Sequence, residues 1–106
     1  MAKYLLKASY TIDGVKGVLK DGGSGRRAAV EETVRGLGGS LESFYFAFGD
    51  TDAYVVVDLP DNATATAISL VVNSAGGAQV TTVPLMTPEE ADEATKKSVE
   101  YRPPGG

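Results

Sequence analysis

The sequence predicts an α+β domain in which four strands make one antiparallel sheet and two helices cross a single face of it. Three observations predict this. Four short runs, 3–10, 41–48, 53–59 and 79–86, are rich in β-branched, aromatic or alternating apolar residues. Stretches with helical apolar spacing separate the first run from the second and the third from the fourth. Only a tight polar segment, Gly49-Asp50-Thr51-Asp52, parts the second run from the third, so those two fold back as a hairpin.

The first strand, Lys3 to Tyr10, alternates with period two. Tyr4, Leu6, Ala8 and Tyr10 share one side, and Lys3, Leu5, Lys7 and Ser9 the other. Asp13-Gly14 breaks it, and Val15 to Lys20 forms a short helical turn that stops at Asp21-Gly22-Gly23. Ser24 then caps a helix with apolar positions Val30, Val34 and Leu37, ended by Gly38-Gly39. In the second strand, Leu41 to Phe48, Phe44, Phe46 and Phe48 mark the buried side and Leu41, Ser43 and Tyr45 the other. The third strand, Ala53 to Leu59, holds Val55-Val56-Val57, apolar on both faces as a central strand is.

Pro60-Asp61 opens a helix with Asp61 or Asn62 as cap and Ala63, Ala67, Ile68 and Val71 as its inner stripe; Gly76-Gly77 closes it. The fourth strand, Gln79 to Met86, contains Pro84, which removes a ladder donor and places the strand at an edge. Thr87-Pro88-Glu89-Glu90 reads as a capping box with proline at the first helical position, starting an appended helix that runs to Ser98. One domain therefore spans 1–98, followed by a flexible tail, 99–106.

This is the split β-α-β, or ferredoxin-like, arrangement, with expected strand order 4-1-3-2. Right-handed crossovers put both main helices on one side. Leu5, Lys7, Leu41, Ser43, Tyr45, Tyr54 and Val56 are then left on a bare side, where an apolar sheet surface marks an interface. Which face of the fourth strand joins them is not set by its weak alternation. A second sheet packed there encloses a pocket.

Composition limits the chemistry. With 106 residues, a folded chain removes roughly 65 % of its unfolded surface from water and needs no staples. No cysteine is present, which excludes disulfides and thiolate metal sites, and no histidine, which removes the commonest general base. Neither a metal nor a cofactor is expected. The net charge of −4, with Lys and Arg scattered, argues against a nucleic-acid partner. The run Met-Ala-Lys-Tyr-Leu-Leu-Lys is too short for a signal peptide, and no apolar stretch suits a membrane, so a cytoplasmic location is expected.

Tyr10-Thr-Ile-Asp-Gly14-Val-Lys-Gly17, Gly38-Gly39-Ser40-Leu41-Glu42-Ser43-Phe44-Tyr45-Phe46, Phe48-Gly49-Asp50-Thr51-Asp52-Ala53-Tyr54 and Asp58-Leu59-Pro60-Asp61 together resemble the GYD domain proteins. The resemblance covers about residues 3 to 95. The family's naming Gly-Tyr-Asp motif appears as Gly49-Asp50-Thr51-Asp52, with Thr51 at the tyrosine position, which argues against a role for a phenol there. The resemblance implies a small dimeric α+β barrel of ferredoxin-like type and imports no reaction.

Four segments are candidate sites. Asp50 and Asp52, near Tyr54, could share a hard cation or supply a base; equally, both cap a hairpin turn. Lys7, Tyr45, Tyr54 and Ser43, with Asp58 beside them, would line the inter-sheet pocket. A lysine stripped of water there serves as base or anion anchor, and a phenol orients an oxygen; otherwise Lys7 pairs with a carboxylate and Tyr45 packs. Gly22-Gly23-Ser24-Gly25-Arg26-Arg27 could hold an anion at a helix start, but its spacing is not that of a P-loop, and a mobile surface loop is the plainer account. Tyr101 and Arg102 in the tail could reach a neighbouring subunit.

The functional expectation is an oligomeric module that binds a small molecule or assembles through its open sheet face, with itself as partner. The alternative is a cofactor-free isomerase, lyase or oxygenase acting on a small organic acid or aromatic through Lys7 and Tyr45.

Overall fold

The computed structural model describes residues 1–47 and 49–106. Its strands are β1 (Ala2–Tyr10), β2 (Ser40–Phe46), β3 (Ala53–Leu59) and β4 (Ala78–Leu85). Its helices are α1 (Ile12–Gly36), α2 (Asn62–Ala75) and α3 (Pro88–Thr95). Phe48, expected on the aromatic side of the second strand, lies outside the described residues. The strands form one antiparallel sheet in the order β2-β3-β1-β4, the expected order read from the other edge. Pro84 is accordingly in an edge strand, where a missing N–H is tolerated.

Tyr4 and Leu6 of β1 and Ala53, Val55, Val57 and Leu59 of β3 are buried on one side of the sheet. Val34 of α1 and Ala65 and Ile68 of α2 close over them, so both crossover helices share that face. Of the stripe expected on α2 only Ile68 is buried, while Ala63, Ala67 and Val71 are exposed, because the inner side runs through Ala65, Ile68 and Val72. The Tyr4 hydroxyl, inside this core, donates to the Asn62 side chain at the start of α2. Polar satisfaction lets so large a phenol be buried.

The segment between the first two strands differs from expectation. A short turn, a loop and a separate helix were expected; instead α1 begins at Ile12 and continues to Gly36, kinked at Gly22. Thr11 caps it, its hydroxyl oxygen accepting from the Gly14 N–H at 3.2 Å and donating to the Gly76 carbonyl at 2.7 Å. The Thr11 N–H also reaches the Gly77 carbonyl at 3.1 Å, which fastens α1 to the corner between α2 and β4. That corner is why Gly14 is a glycine: a Cβ there would run into the Gly77 carbonyl oxygen. Gly22 alone leaves helical geometry (φ 75°, ψ 168°), a region essentially reserved for glycine. The glycine-rich stretch 23–27 is thus helical, not a loop. Anchors on both sides, the Thr11 corner before it and Val30 and Val34 on the core after it, outweigh the weak propensity of glycine.

Another departure lies in β2. Leu41 pairs with Val57 but Ser43 pairs with Val56, leaving Glu42 as an extra residue. This bulge turns Leu41 onto the core, whereas strict alternation placed it on the bare side. Phe44 packs on the core, and the Phe46 ring, tilted by 57°, lies 5.1 Å from that of Phe44 with 41 % of its surface exposed.

At α3 the capping box forms as expected. Thr87 Oγ1 accepts from the Glu90 N–H at 3.1 Å, and Glu90 Oε1 accepts from the Thr87 N–H at 3.1 Å. The helix ends at Thr95, three residues before the expected end, and buries no residue.

Candidate functional site

No described element packs across the sheet face turned away from α1 and α2. Strand register arranges that face in cross-strand rows. Tyr45, Tyr54, Lys7 and Thr81 form one row, in the order of the strands. Ser43, Val56, Leu5 and Val83 form the next, and Ser40, Asp58, Lys3 and Leu85 the third. The contribution of β4 is thereby settled: Gln79, Thr81, Val83 and Leu85 face the bare side because they pair with Ser9, Lys7, Leu5 and Lys3. A polar row, an apolar row and a charged row therefore follow one another along the strands, about 7 Å apart.

In the charged row, Lys3 Nζ lies 3.1 Å from Asp58 Oδ1 and 3.3 Å from Glu42 Oε2. The hydrogen bond that Lys3 donates to Asp58, helped by Glu42, outweighs desolvation and holds the Lys3 ammonium above its ordinary pKa of 10.5. The bulge brings Glu42 to this face. Asp58, expected beside Lys7, thus belongs to Lys3. Lys7, on the same strand and the same face, has no ion pair among the described residues. It is half-buried, between the Tyr54 and Thr81 strands. Tyr45 is 70 % exposed and Tyr54 40 %, both unusually open for aromatics on a strand.

Lys7, Tyr45 and Tyr54 thus come together in one row, with Ser43 in the adjoining one. Asp52 does not join them. Its Oδ2 accepts the Tyr10 N–H at 2.8 Å, its own N–H donates to the Ala8 carbonyl at 2.8 Å, and its carbonyl accepts the Ala47 N–H at 2.8 Å. It stitches the end of β1 to the hairpin and lines a helix-side cavity of about 340 Å³ with Tyr10, Val15, Val18 and Phe46. Asp50 contributes its backbone carbonyl to the Ser9 hydroxyl at 2.9 Å. Among the described residues, no group of three or more His, Cys, Asp or Glu comes together to hold a metal ion.

Arg27 has a different neighbourhood from the one the glycine-rich segment suggested. Presented by helix rather than loop, it lines a groove of about 430 Å³ along the β2 edge with Glu31, Glu42, Ser43 and Tyr45. Thr81 and Val83 were missed by sequence reasoning. Only their pairing with Lys7 and Leu5, a long-range fact, could have found them.

A family model described as the GYD domain matches residues 4–95. No curated protein and no solved structure matches the chain. No helix among the described residues is long and apolar enough to cross a membrane.

Proposed function

The chain belongs to the GYD domain family, and from that premise we propose that it is a homo-oligomeric binding module whose bare sheet faces meet and enclose a small molecule beside Lys7, Tyr45 and Tyr54. One observation carries this reading: a four-stranded sheet buries one face under α1 and α2 while Leu5, Val56 and Val83 lie in a row across the other. Apolar side chains in a continuous row, rimmed by hydroxyls and charges, are the anatomy of a protein interface. The polar row beside them supplies the few convergent groups that orient a ligand in an otherwise apolar pocket.

Light scattering coupled to size exclusion tests the assembly. Wild-type protein is expected at a multiple of the 11.0 kDa chain. Val56→Arg puts a cation at the middle of the face, against its own copy, and is expected to give the single-chain mass with an unchanged far-ultraviolet spectrum. Wild-type protein at single-chain mass across the accessible concentration range is the result that rejects the proposal.

A further inference from the structure

Lys3 and Lys7 stand four residues apart on the same strand and the same bare face, yet their charges are treated differently. Lys3 lies within 3.3 Å of two carboxylates, Asp58 and Glu42. Lys7 has none among the described residues. The register places no other carboxylate on this face, for its rows otherwise carry only hydroxyl, amide and apolar side chains. A second sheet laid over the face takes Lys7 out of water, and a buried ammonium without a counter-charge is strongly unfavourable. The facing rows of a second copy would add only Asp58 and Glu42, each already beside its own Lys3. The sheet rows thus leave Lys7 open to a negative charge brought by a ligand.

The surroundings of Lys7 say what kind of molecule brings it. Tyr54 is its direct neighbour on β3, Tyr45 stands beyond Tyr54 on β2, and Thr81 flanks it on β4. The phenols give an aromatic wall and hydroxyl donors at the level of the ammonium. One row along, about 7 Å away, Leu5, Val56 and Val83 give an apolar floor. That separation matches one six-membered ring carrying a carboxylate. The cation fixes one end, the wall stacks the ring and the floor receives its far edge.

Resting on the assembly proposed above, we infer that the enclosed ligand is a small aromatic carboxylic acid bound as its monoanion, with the carboxylate on Lys7 and the ring over Leu5, Val56 and Val83. The carboxylate then accepts a charge-assisted hydrogen bond from Lys7 Nζ, and this contact sets the selectivity for an acid over a neutral analogue.

Calorimetric titration of the full chain with benzoate and with benzamide, alongside native mass spectrometry of the same samples, tests the inference. Benzoate is expected to bind at least about tenfold more tightly than benzamide, the discrimination of one hydrogen bond to a charged group. Lys7→Met keeps the bulk of the side chain and is expected to abolish that preference while leaving the oligomeric mass unchanged. Tyr54→Leu is expected to weaken both probes alike. An oligomer that takes up neither probe, or binds them equally, overturns the ligand class and leaves the assembly standing. A single-chain mass that still prefers benzoate overturns the assembly and leaves Lys7 as an anion site. Single chains without a preference overturn both.

Discussion

At the scale of single residues, the chain's local chemistry is dominated by short polar side chains that satisfy nearby backbone. Asp61 illustrates it. Its Oδ1 accepts from the Thr64 hydroxyl at 2.7 Å and from the Thr64 N–H at 2.8 Å, capping α2. These bonds, the hydroxyl's first, hold the Asp61 carboxyl below its ordinary pKa of 3.8. A depressed folded-state pKa means that the stabilisation is full above 3.8 and is lost as pH falls through the lower folded value. Asp61→Ala is therefore expected to lower the melting temperature at neutral pH. The gap between variant and wild type should then close as melts are taken towards about pH 2. A gap that stays constant down to that pH contradicts the capping role. The Lys3 cluster works in the opposite direction: its raised pKa makes its contribution complete below 10.5 and lost only above, outside any ordinary melt. The Thr87–Glu90 box was legible in the sequence, and the cap of α2 was narrowed to Asp61 or Asn62, because a cap is set by residues within three positions of each other. The pairing of Lys3 with Asp58, 55 positions apart, was not.

At the scale of elements, β1, β3 and the limits of α2 follow from their patterns, while the inner side of α2 differs from the expected one and α1 and β2 each hide one irregularity. Alternation assigns sides only while no residue is inserted; Glu42 is inserted, and Leu41 changes sides. In α1, glycine content argued for a loop, yet a helix forms because its two limbs are held at separate places. The kink rests on one residue. Gly22→Ala forces a side chain into a backbone region that L residues avoid and is expected to cost about 1–3 kcal/mol in urea denaturation. Gly36→Ala, with helical backbone and open space around the new methyl, is expected to stabilise by about 0.5–1 kcal/mol in the same assay. Equal effects of the two substitutions would argue that α1 bends for some reason other than Gly22.

Taken whole, the molecule has too much surface for its size. It exposes 7467 Å², about a third above the roughly 5,600 Å² expected of a compact monomer of this mass. Its radius of gyration is 16.7 Å, where a compact domain of this length has about 13 Å. Part of the surplus is α3 and the segment after it, where Val99 and Tyr101 are exposed. An eight-residue helix that buries nothing is marginal by itself in water. Ile12, Val15 and Leu19, spaced three and four apart along the first limb of α1, are a further uncovered apolar stripe. If a second copy covers such surface, unfolding is linked to dissociation. The melting temperature is then expected to rise by several degrees per hundredfold increase in protein concentration. A concentration-independent melting temperature would say that each chain is stable alone, with its surplus surface in water.

The sequence by itself determined the order of the elements, the strand order of the sheet, the family and the side of β1 and β3 that enters the core. Those depend on apolar period, turn chemistry and crossover handedness, all written within short windows. Tertiary structure alone decided that Lys7 shares a row with Tyr45, Tyr54 and Thr81, that Asp58 and Glu42 belong to Lys3, and that Asp52 stitches β1 to the hairpin away from that row. Register is the physical reason. Which residues stand side by side across a sheet depends on pairing between distant segments and on a single inserted residue, and no local pattern encodes either.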